Sequence, residues 1–398
     1  MKALWSLAIL FGLSTTLFAQ DEAATPNVTP DAKDEAVLFE GEDVKVYWKN
    51  GTRIEGDDFK IKFGGRIHND WKFESGDLDN ENGTEFRRAR LFFSGTLYDR
   101  IVFKAQYDFE DGQSDFKDVY IGVKGLPFAG TLTIGQQFES FGFNAPPSNY
   151  YTFMEGPLDS SISPQHSTGI KMQNSVLEEK LQYSLGFFWG NSDGFGEDTS
   201  NDGDMDITGR ITGLPIYEKD EMLLHVGASV SRRHNHGGDD INFESKPMAN
   251  LSSDWVLSAV TGVEDLMLLG FELGFAWQSL HAQFEFVNWD ASAIDSANDV
   301  TYSALYLQVG YFLTGEIRPY SAKKGMWSRV KPLKNAFGEE GGWGAWELKA
   351  RVQMVNGEDS GAGNDMTNIA LGANWYLNSA TRVMLEYINT SVDNGSTT

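Results

Sequence analysis

The sequence predicts an all-β fold, a transmembrane antiparallel β-barrel of about sixteen strands. Two observations carry this prediction. Segments of about ten residues, the length that a tilted strand needs to cross a bilayer, alternate apolar with polar or charged side chains. The connections between these segments alternate between tight and long, which is typical of barrels with short turns at one end and external loops at the other.

The first residues have the features of a secretory signal peptide. Lys2 precedes an apolar stretch from Leu4 to Leu13, and a cut after Ala19 fits the pattern of such peptides. We therefore predict that residues 1–19 are a signal peptide, which exports the chain toward a bacterial outer membrane. Cysteine is absent, so no disulfide framework holds the exported fold together.

Residues 20–58 are predicted to be a linker that ends in a small hairpin. The stretch 21–43 is rich in Asp, Glu, Ala and Pro and lacks periodicity, which is typical of a flexible segment. Val44–Trp48 and Thr52–Ile54 flank an Asn-Gly turn and have the pattern of two short strands.

The net charge of the chain is −25. So acidic a surface argues against nucleic acid as a partner, because phosphate groups would be repelled. The acidic residues gather in the loop-like segments, as expected for solvated loops. An anion pathway stays compatible with this charge, since a local basic lining can lie inside an acidic protein.

The barrel is predicted to span residues 59–398, and its clearest stretch is Phe86–Phe109. Each half of this stretch alternates, so it forms a hairpin with one apolar and one polar face. A soluble sandwich would turn the apolar face inward, whereas a membrane barrel turns it toward lipid. The alternating loop lengths favour the barrel. The predicted strands are roughly 59–73, 84–97, 101–110, 116–125, 130–138, 166–175, 180–190, 205–216, 221–233, 266–278, 280–289, 301–313, 343–354, 366–378 and 380–390.

The connections follow strand parity, with one exception. The tight ones lie at Asp99, Glu218–Asp220, Gln278–Ser279 and Asn378–Ala380, and the long ones are Asn191–Asp204, His234–Asp265, Asp290–Asp299 and Asn356–Asp365. The connection at 314–342 is long on the side of the tight turns. The strand count of about fifteen is odd, whereas bacterial barrels have even numbers. We therefore expect that the final strand is missing from the sequence.

Phe141–Gln165 is a long apolar and aromatic segment without strand periodicity. External loops are usually polar, and this one is neither very polar nor charged. We expect it to fold into the lumen and narrow it, with a surface flap as the alternative.

Basic residues gather on one predicted inner face. Arg88 and Arg90 lie on one strand, Lys104 lies on the next, and Arg66 adds to them from the preceding strand. Guanidinium forks bind phosphate-like oxygens in a bidentate manner, and lysine adds a point charge. The alternative is a neutral lining, in which these residues pair with nearby acidic side chains.

Arg87 is adjacent to Arg88, so in an ideal strand it would face lipid. A lipid-facing guanidinium near the midplane costs roughly 2–4 kcal/mol. Arg87 must therefore lie near the strand end or reach into the lumen.

Eight motifs together resemble the phosphate-selective porin O and P family, over nearly all of residues 59–390. They are FGGR (Phe63–Arg66), FRRAR (Phe86–Arg90), QYDF (Gln106–Phe109), IGQQFESFG (Ile134–Gly142), TFMEGPL (Thr152–Leu158), FLTGEIRPY (Phe312–Tyr320), GGWGAWELKAR (Gly341–Arg351) and NWYLN (Asn374–Asn378). The resemblance implies a trimeric outer-membrane barrel of sixteen strands, whose loops fold inward around an anion-binding constriction. It also implies a last strand beyond the point where this chain stops.

The resemblance also implies site residues. The constriction arginines of the family correspond to Arg66, Arg87 and Arg88, and the serine near its constriction loop corresponds to Ser148. Other basic positions of the family carry neutral residues here, namely Gln136, Ala145 and Gly156, and one of two rungs of its external arginine ladder is acidic, near Glu244 and Lys246.

We therefore predict an outer-membrane porin, a passive diffusion channel for small anions such as phosphate, and a homotrimer. Its anion-binding constriction is expected to contain Arg66, Arg87, Arg88, Arg90, Lys104 and Ser148. No catalytic residue, metal or cofactor is expected, and the chain is not predicted to be an enzyme. Two alternatives stay open: a weakly selective or cation-preferring general porin, and a structural or adhesin-like barrel with a blocked lumen.

Overall fold

In the computed structural model the chain forms a closed barrel of sixteen antiparallel strands, which confirms the predicted fold class. The structure describes residues 3–18, 36–49, 51–77, 82–144, 147–156, 158, 163–190, 195–197, 204–338, 341–357 and 364–394. No helix in these ranges has the length and apolar character of a transmembrane helix.

Twenty-one strands follow one another in the described residues. They are β1 (Ala3–Phe18), β2 (Ala36–Glu40), β3 (Val44–Trp48), β4 (Thr52–Gly56), β5 (Phe59–Gly76), β6 (Gly83–Leu97), β7 (Ile101–Asp108), β8 (Asp115–Leu126), β9 (Gly130–Phe138), β10 (His166–Val176), β11 (Leu181–Trp189), β12 (Asp206–Glu218), β13 (Met222–Ser245), β14 (Trp255–Trp277), β15 (Leu280–Ala293), β16 (Val300–Phe312), β17 (Tyr320–Ser321), β18 (Met326–Trp327), β19 (Ala345–Asn356), β20 (Asn364–Tyr376) and β21 (Thr381–Asn394). Strands β2–β4 form a small antiparallel extension that joins β5 through β4, and β17 pairs with β18. The other strands make the barrel.

The two faces of the barrel differ as the alternation predicts. Leu91 on β6 and Phe271 on β14 point outward and are 54% and 56% exposed. Inward-pointing side chains of the same strands, such as Arg88 and Glu272, are buried. Apolar side chains can face lipid without cost, and closure pairs every backbone edge, so the polar groups are confined to the interior.

The sixteenth strand is β1, which pairs with β21 on one side and with β5 on the other. These residues are the ones assigned above to a signal peptide. Along its inner face β1 carries Ser6, Ala8, Leu10 and Ser14, a mostly small or apolar set. If residues 1–19 are cleaved off, β1 cannot be a strand of the mature barrel. The signal peptide therefore stays a prediction.

The prediction that His234–Asp265 is a long loop is wrong. The stretch His234–Asp265 was expected to be a loop, but β13 and β14 continue into it and pair as far as Ser245 and Trp255. The alternation is interrupted there by register shifts, which conceal the strands in the sequence. The tip of this hairpin bends inward, with Met248 and Ala249 buried.

Two segments from opposite ends of the barrel meet inside it. The segment between β9 and β10 buries Phe141, Phe143 and Phe153, and the segment between β16 and β19 buries Trp327. The rings of Phe143 and Trp327 stack with their centroids 6.2 Å apart. We call residues 139–165 the constriction loop, because the described part of this segment crosses the lumen between the arginine-bearing strands and β19–β21.

Candidate constriction site

A β-bulge in β6 turns two adjacent arginines toward the same side. His68 pairs with Arg88 and Asp70 pairs with Glu85, so β6 has one residue more than β5 between these two pairs. Bulges of this kind re-aim a side chain. Phe86 is consequently 62% exposed on the outside, whereas Arg87 reaches inward to the constriction loop.

Glu155 of the constriction loop binds both arginines. Arg87 donates from Nε to Oε1 at 2.8 Å and from Nη2 to Oε2 at 3.2 Å, a bidentate fork. Nη2 of Arg88 lies 3.9 Å from Oε2 of the same carboxylate. Burial alone would raise the pKa of Glu155, but the guanidinium groups of Arg87 and Arg88 outweigh it and hold that pKa below its usual range. The carboxylate is therefore ionised at neutral pH.

Arg66 and Ser148 lie at the next part of the same loop. Arg66 is 4% exposed and donates from Nη1 to Oδ1 of Asn149 at 3.2 Å. Its Nε and the hydroxyl of Ser148 are buried without a hydrogen-bond partner among the described residues. Unsatisfied buried donors are costly, and they are common where a ligand supplies the missing contact.

Arg90 and Lys104 are paired within the barrel wall instead. Arg90 donates to Asp108, and the carboxylate of Asp108 also accepts from the backbone N–H of Ala89. Lys104 donates to Asp118 at 2.6 Å. For these two predicted site residues the structure supports the neutral, ion-paired lining that was the alternative.

Four basic residues that were not predicted as site residues hold the constriction loop from β19, from β21 and from the segment between β16 and β19. Arg382 donates to the carbonyl oxygens of Tyr151, at 2.6 Å, and Ser148. Lys349 donates to the carbonyl of Thr152 at 3.0 Å. Arg351 donates to those of Glu155 and Gly156, and Arg318 to that of Tyr150.

A partial signal for these residues exists in the sequence. Lys349 and Arg351 alternate with apolar residues on a predicted strand, and this alternation predicts that their side chains point into the barrel. Their targets are backbone carbonyl groups of a loop without periodicity, and no residue type marks a carbonyl in a sequence. In the described ranges no group of three or more His, Asp or Glu side chains is arranged for a metal ion.

The fold and the site together define a class. A closed barrel with an apolar outer face, a polar interior and an inward loop that meets a row of arginines is the architecture of an outer-membrane porin. The fold points to a channel rather than to an enzyme.

Comparison with known proteins identifies the family. The profile of the family described as "Phosphate-selective porin O and P" matches residues 61–398. The chain belongs to this family and is an outer-membrane porin, which confirms the resemblance seen in the motifs.

Individual relatives are more distant. Porin O of Pseudomonas aeruginosa is 24% identical over 404 residues, which cover 90% of this chain and 89% of that protein. A solved structure of OmpT, an outer membrane protein of Vibrio cholerae in a trimer form, is 14% identical at a TM-score of 0.49 and covers 84% of this chain and 99% of that one. An anion-selective porin from Comamonas acidovorans is 8% identical at a TM-score of 0.40, covering 98% and 99%.

Proposed function

We propose that the anion path of this porin passes between the constriction loop and the arginines of β5 and β6. Arg66, Arg87, Arg88 and Ser148 would contact the anion, while Arg90 and Lys104 would stay in their ion pairs within the wall. The observation that carries the proposal is the convergence of three guanidinium groups on one short stretch, residues 148–155. The unsatisfied Nε of Arg66 and hydroxyl of Ser148 supply donors there.

The mechanism requires no catalysis. An anion that enters the constriction loses part of its hydration shell, and the guanidinium and hydroxyl donors replace the lost hydrogen bonds. Guanidinium forks match the oxygens of phosphate in a bidentate manner. Passage also requires release, so the net affinity has to stay low.

A weakly selective channel is the second candidate. The observation in its favour is that Arg87, Arg90 and Lys104 each pair with a carboxylate, which lowers the net positive charge of the path. A structural barrel with a blocked lumen is the third, and it predicts no conductance.

The reversal potential of the protein in a planar bilayer under a potassium chloride gradient separates these functions. We expect an anion-selective potential, with chloride current blocked by added phosphate and the block weakened in R66A and R88A. A cation-selective or neutral potential without block would replace the proposal with the weakly selective porin, and absence of current with the structural barrel.

We propose that the porin assembles as a homotrimer, as the family resemblance implies. The mass of the detergent-solubilised complex, measured by light scattering with correction for bound detergent, tests this. A monomer mass would contradict it.

We also propose that residues 1–19 leave the chain on export. The uncharged inner face of β1 supports this, because the neighbouring strands carry charged residues such as Lys72 and Glu386 on theirs. The mass of the N-terminal peptide from outer-membrane protein tests it. A chain that begins near Gln20 is expected, and one that retains Ala3–Phe18 would make β1 a permanent strand.

A further inference from the structure

Glu155 differs from the other carboxylates that pair with the basic row. Asp108 and Asp118 lie on β7 and β8 of the barrel wall, and Asp108 is fully buried. Glu110, which follows β7, has its Oε2 3.6 Å from Nη1 of Arg87, and that oxygen has no hydrogen-bond partner among the described residues. Glu155 is carried by the constriction loop, and its side chain is 18% exposed, as is that of Asp118. Its carboxylate can therefore leave the arginines without breaking a strand.

The geometry of Glu155 is that of a bound anion. Its two oxygens accept from Nε and Nη2 of Arg87 at 2.8 and 3.2 Å, and one of them also faces Arg88. A phosphate or sulfate would use the same fork, because two oxygens of a tetrahedral oxyanion are spaced to accept the same pair of donors. Carboxylate and permeating anion therefore compete for one place.

We infer that Glu155 is a tethered competitor, an internal anion that occupies the guanidinium fork of Arg87 and Arg88 and that a permeating oxyanion must displace. The inference rests on the proposed function, since it concerns the same arginines. It names the residue that sets how tightly the constriction holds its anion.

The backbone around Glu155 is held by contacts that do not involve the Glu155 side chain. Nη1 of Arg351 donates to the carbonyl oxygens of Glu155 at 3.4 Å and Gly156 at 3.2 Å, and the N–H of Met154 donates to Glu386 at 2.8 Å. The main chain is thus fixed independently of the side chain. The carboxylate can swing away while the loop stays in place.

A tethered group that occupies the site lowers the apparent affinity of the site for a permeating anion. The apparent affinity is the intrinsic affinity multiplied by the fraction of time that the site is free. Removing the charge of Glu155 should therefore strengthen anion binding, the opposite of the effect expected from removing an arginine. Binding that is too tight slows release, so the current at saturating anion should fall.

The test uses the full-length protein in planar bilayers and the phosphate concentration that halves the chloride current. In E155Q this concentration is expected to fall about tenfold, equivalent to about 1.4 kcal/mol. E155D keeps the charge on a shorter arm and is expected to lie between E155Q and the unchanged protein. D265N is the matched control, because it removes one carboxylate charge from a pair with an arginine, Arg232, that lies outside the constriction loop, and its half-blocking concentration should not move.

Each other result overturns the inference. An unchanged half-blocking concentration in E155Q, while R88A still weakens the block, means that Glu155 does not compete. A larger conductance with weaker block in E155Q means that the side chain holds the loop. The proposed function fails separately, when phosphate blocks neither the unchanged protein nor any variant.

Discussion

The two sides of the constriction loop are both held by basic residues, yet in different ways. On the β5–β6 side the cations meet side chains, as Arg87 meets Glu155 and Arg66 meets Asn149. On the β19–β21 side they meet the backbone, as Lys349 meets the carbonyl of Thr152 and Arg351 that of Gly156. There the ring of Phe153 lies 4.6 Å from Nζ of Lys349 and 4.2 Å from the guanidinium carbon of Arg351.

Contacts to the backbone fix the course of the loop, whereas contacts to side chains can be exchanged for contacts to a solute. A buried carbonyl that loses its donor stays unsatisfied, because the backbone cannot leave, so the β19–β21 contacts fix the course of the loop. A side chain can rotate away and give its place to a solute. The positive charges on the two sides of the loop therefore have different roles.

Removing Lys349 should have the largest effect. K349M leaves the carboxylate of Glu386, which Lys349 binds at 2.5 Å, buried without its cation. Losing one member of a buried pair costs on the order of 3–5 kcal/mol. We expect a detached loop, seen as a larger single-channel conductance and weaker anion preference. The double variant K349M/E386Q removes both charges and should recover part of the loss, and an unchanged conductance in K349M would contradict the assignment.

Removing Arg66 should have a smaller and more selective effect. In R66A we expect the half-blocking phosphate concentration to rise about tenfold, or about 1.4 kcal/mol, because one guanidinium donor is lost. Single-channel conductance in chloride should stay near that of the unchanged protein. A widened pore in R66A would place Arg66 with the loop-holding residues and remove the contrast between the walls.

Acid is expected to weaken the ion pair between Glu155 and Arg87. The two arginines depress the pKa of this carboxylate, so its ion pair persists at neutral pH and is lost as the pH falls through the depressed value. We expect block by sulfate, which keeps its charge in mild acid, to strengthen only below the usual range of a glutamate. Titration of the block in E155Q should lack this step, and equal titration in both proteins would assign the effect to another carboxylate beside the arginines, such as Glu110.

The smallest effect is expected at Lys104. Its pair with Asp118 lies in the wall and is partly exposed, and such pairs contribute about 1 kcal/mol or less. K104M should change the half-blocking concentration by less than about fivefold. A change as large as that in R66A would make Lys104 a direct contact of the anion.

Much of the fold was predictable because its signal is local. Alternation at period two assigns each strand residue to lipid or lumen, so the inward direction of Arg66, Arg88 and Lys349 follows from the sequence. This assignment fails where register shifts interrupt the alternation, as in the part of the β13–β14 hairpin beyond His234. The role of Glu155 could not be predicted, because its contact with Arg87 depends on the path of the loop, which distant side chains fix through carbonyl groups.

The bulge in β6 has a consequence for how such a pore can change over generations. Without the bulge, Arg87 would point out of the barrel, as neighbours of inward-facing Arg88 do in a regular strand. The extra residue between Glu85 and Arg88 turns the side chain of Arg87 inward. Gain or loss of one neutral residue at this point moves a whole positive charge between membrane and water path. Porins with the same number of charged residues can therefore differ in the charge that lines the pore.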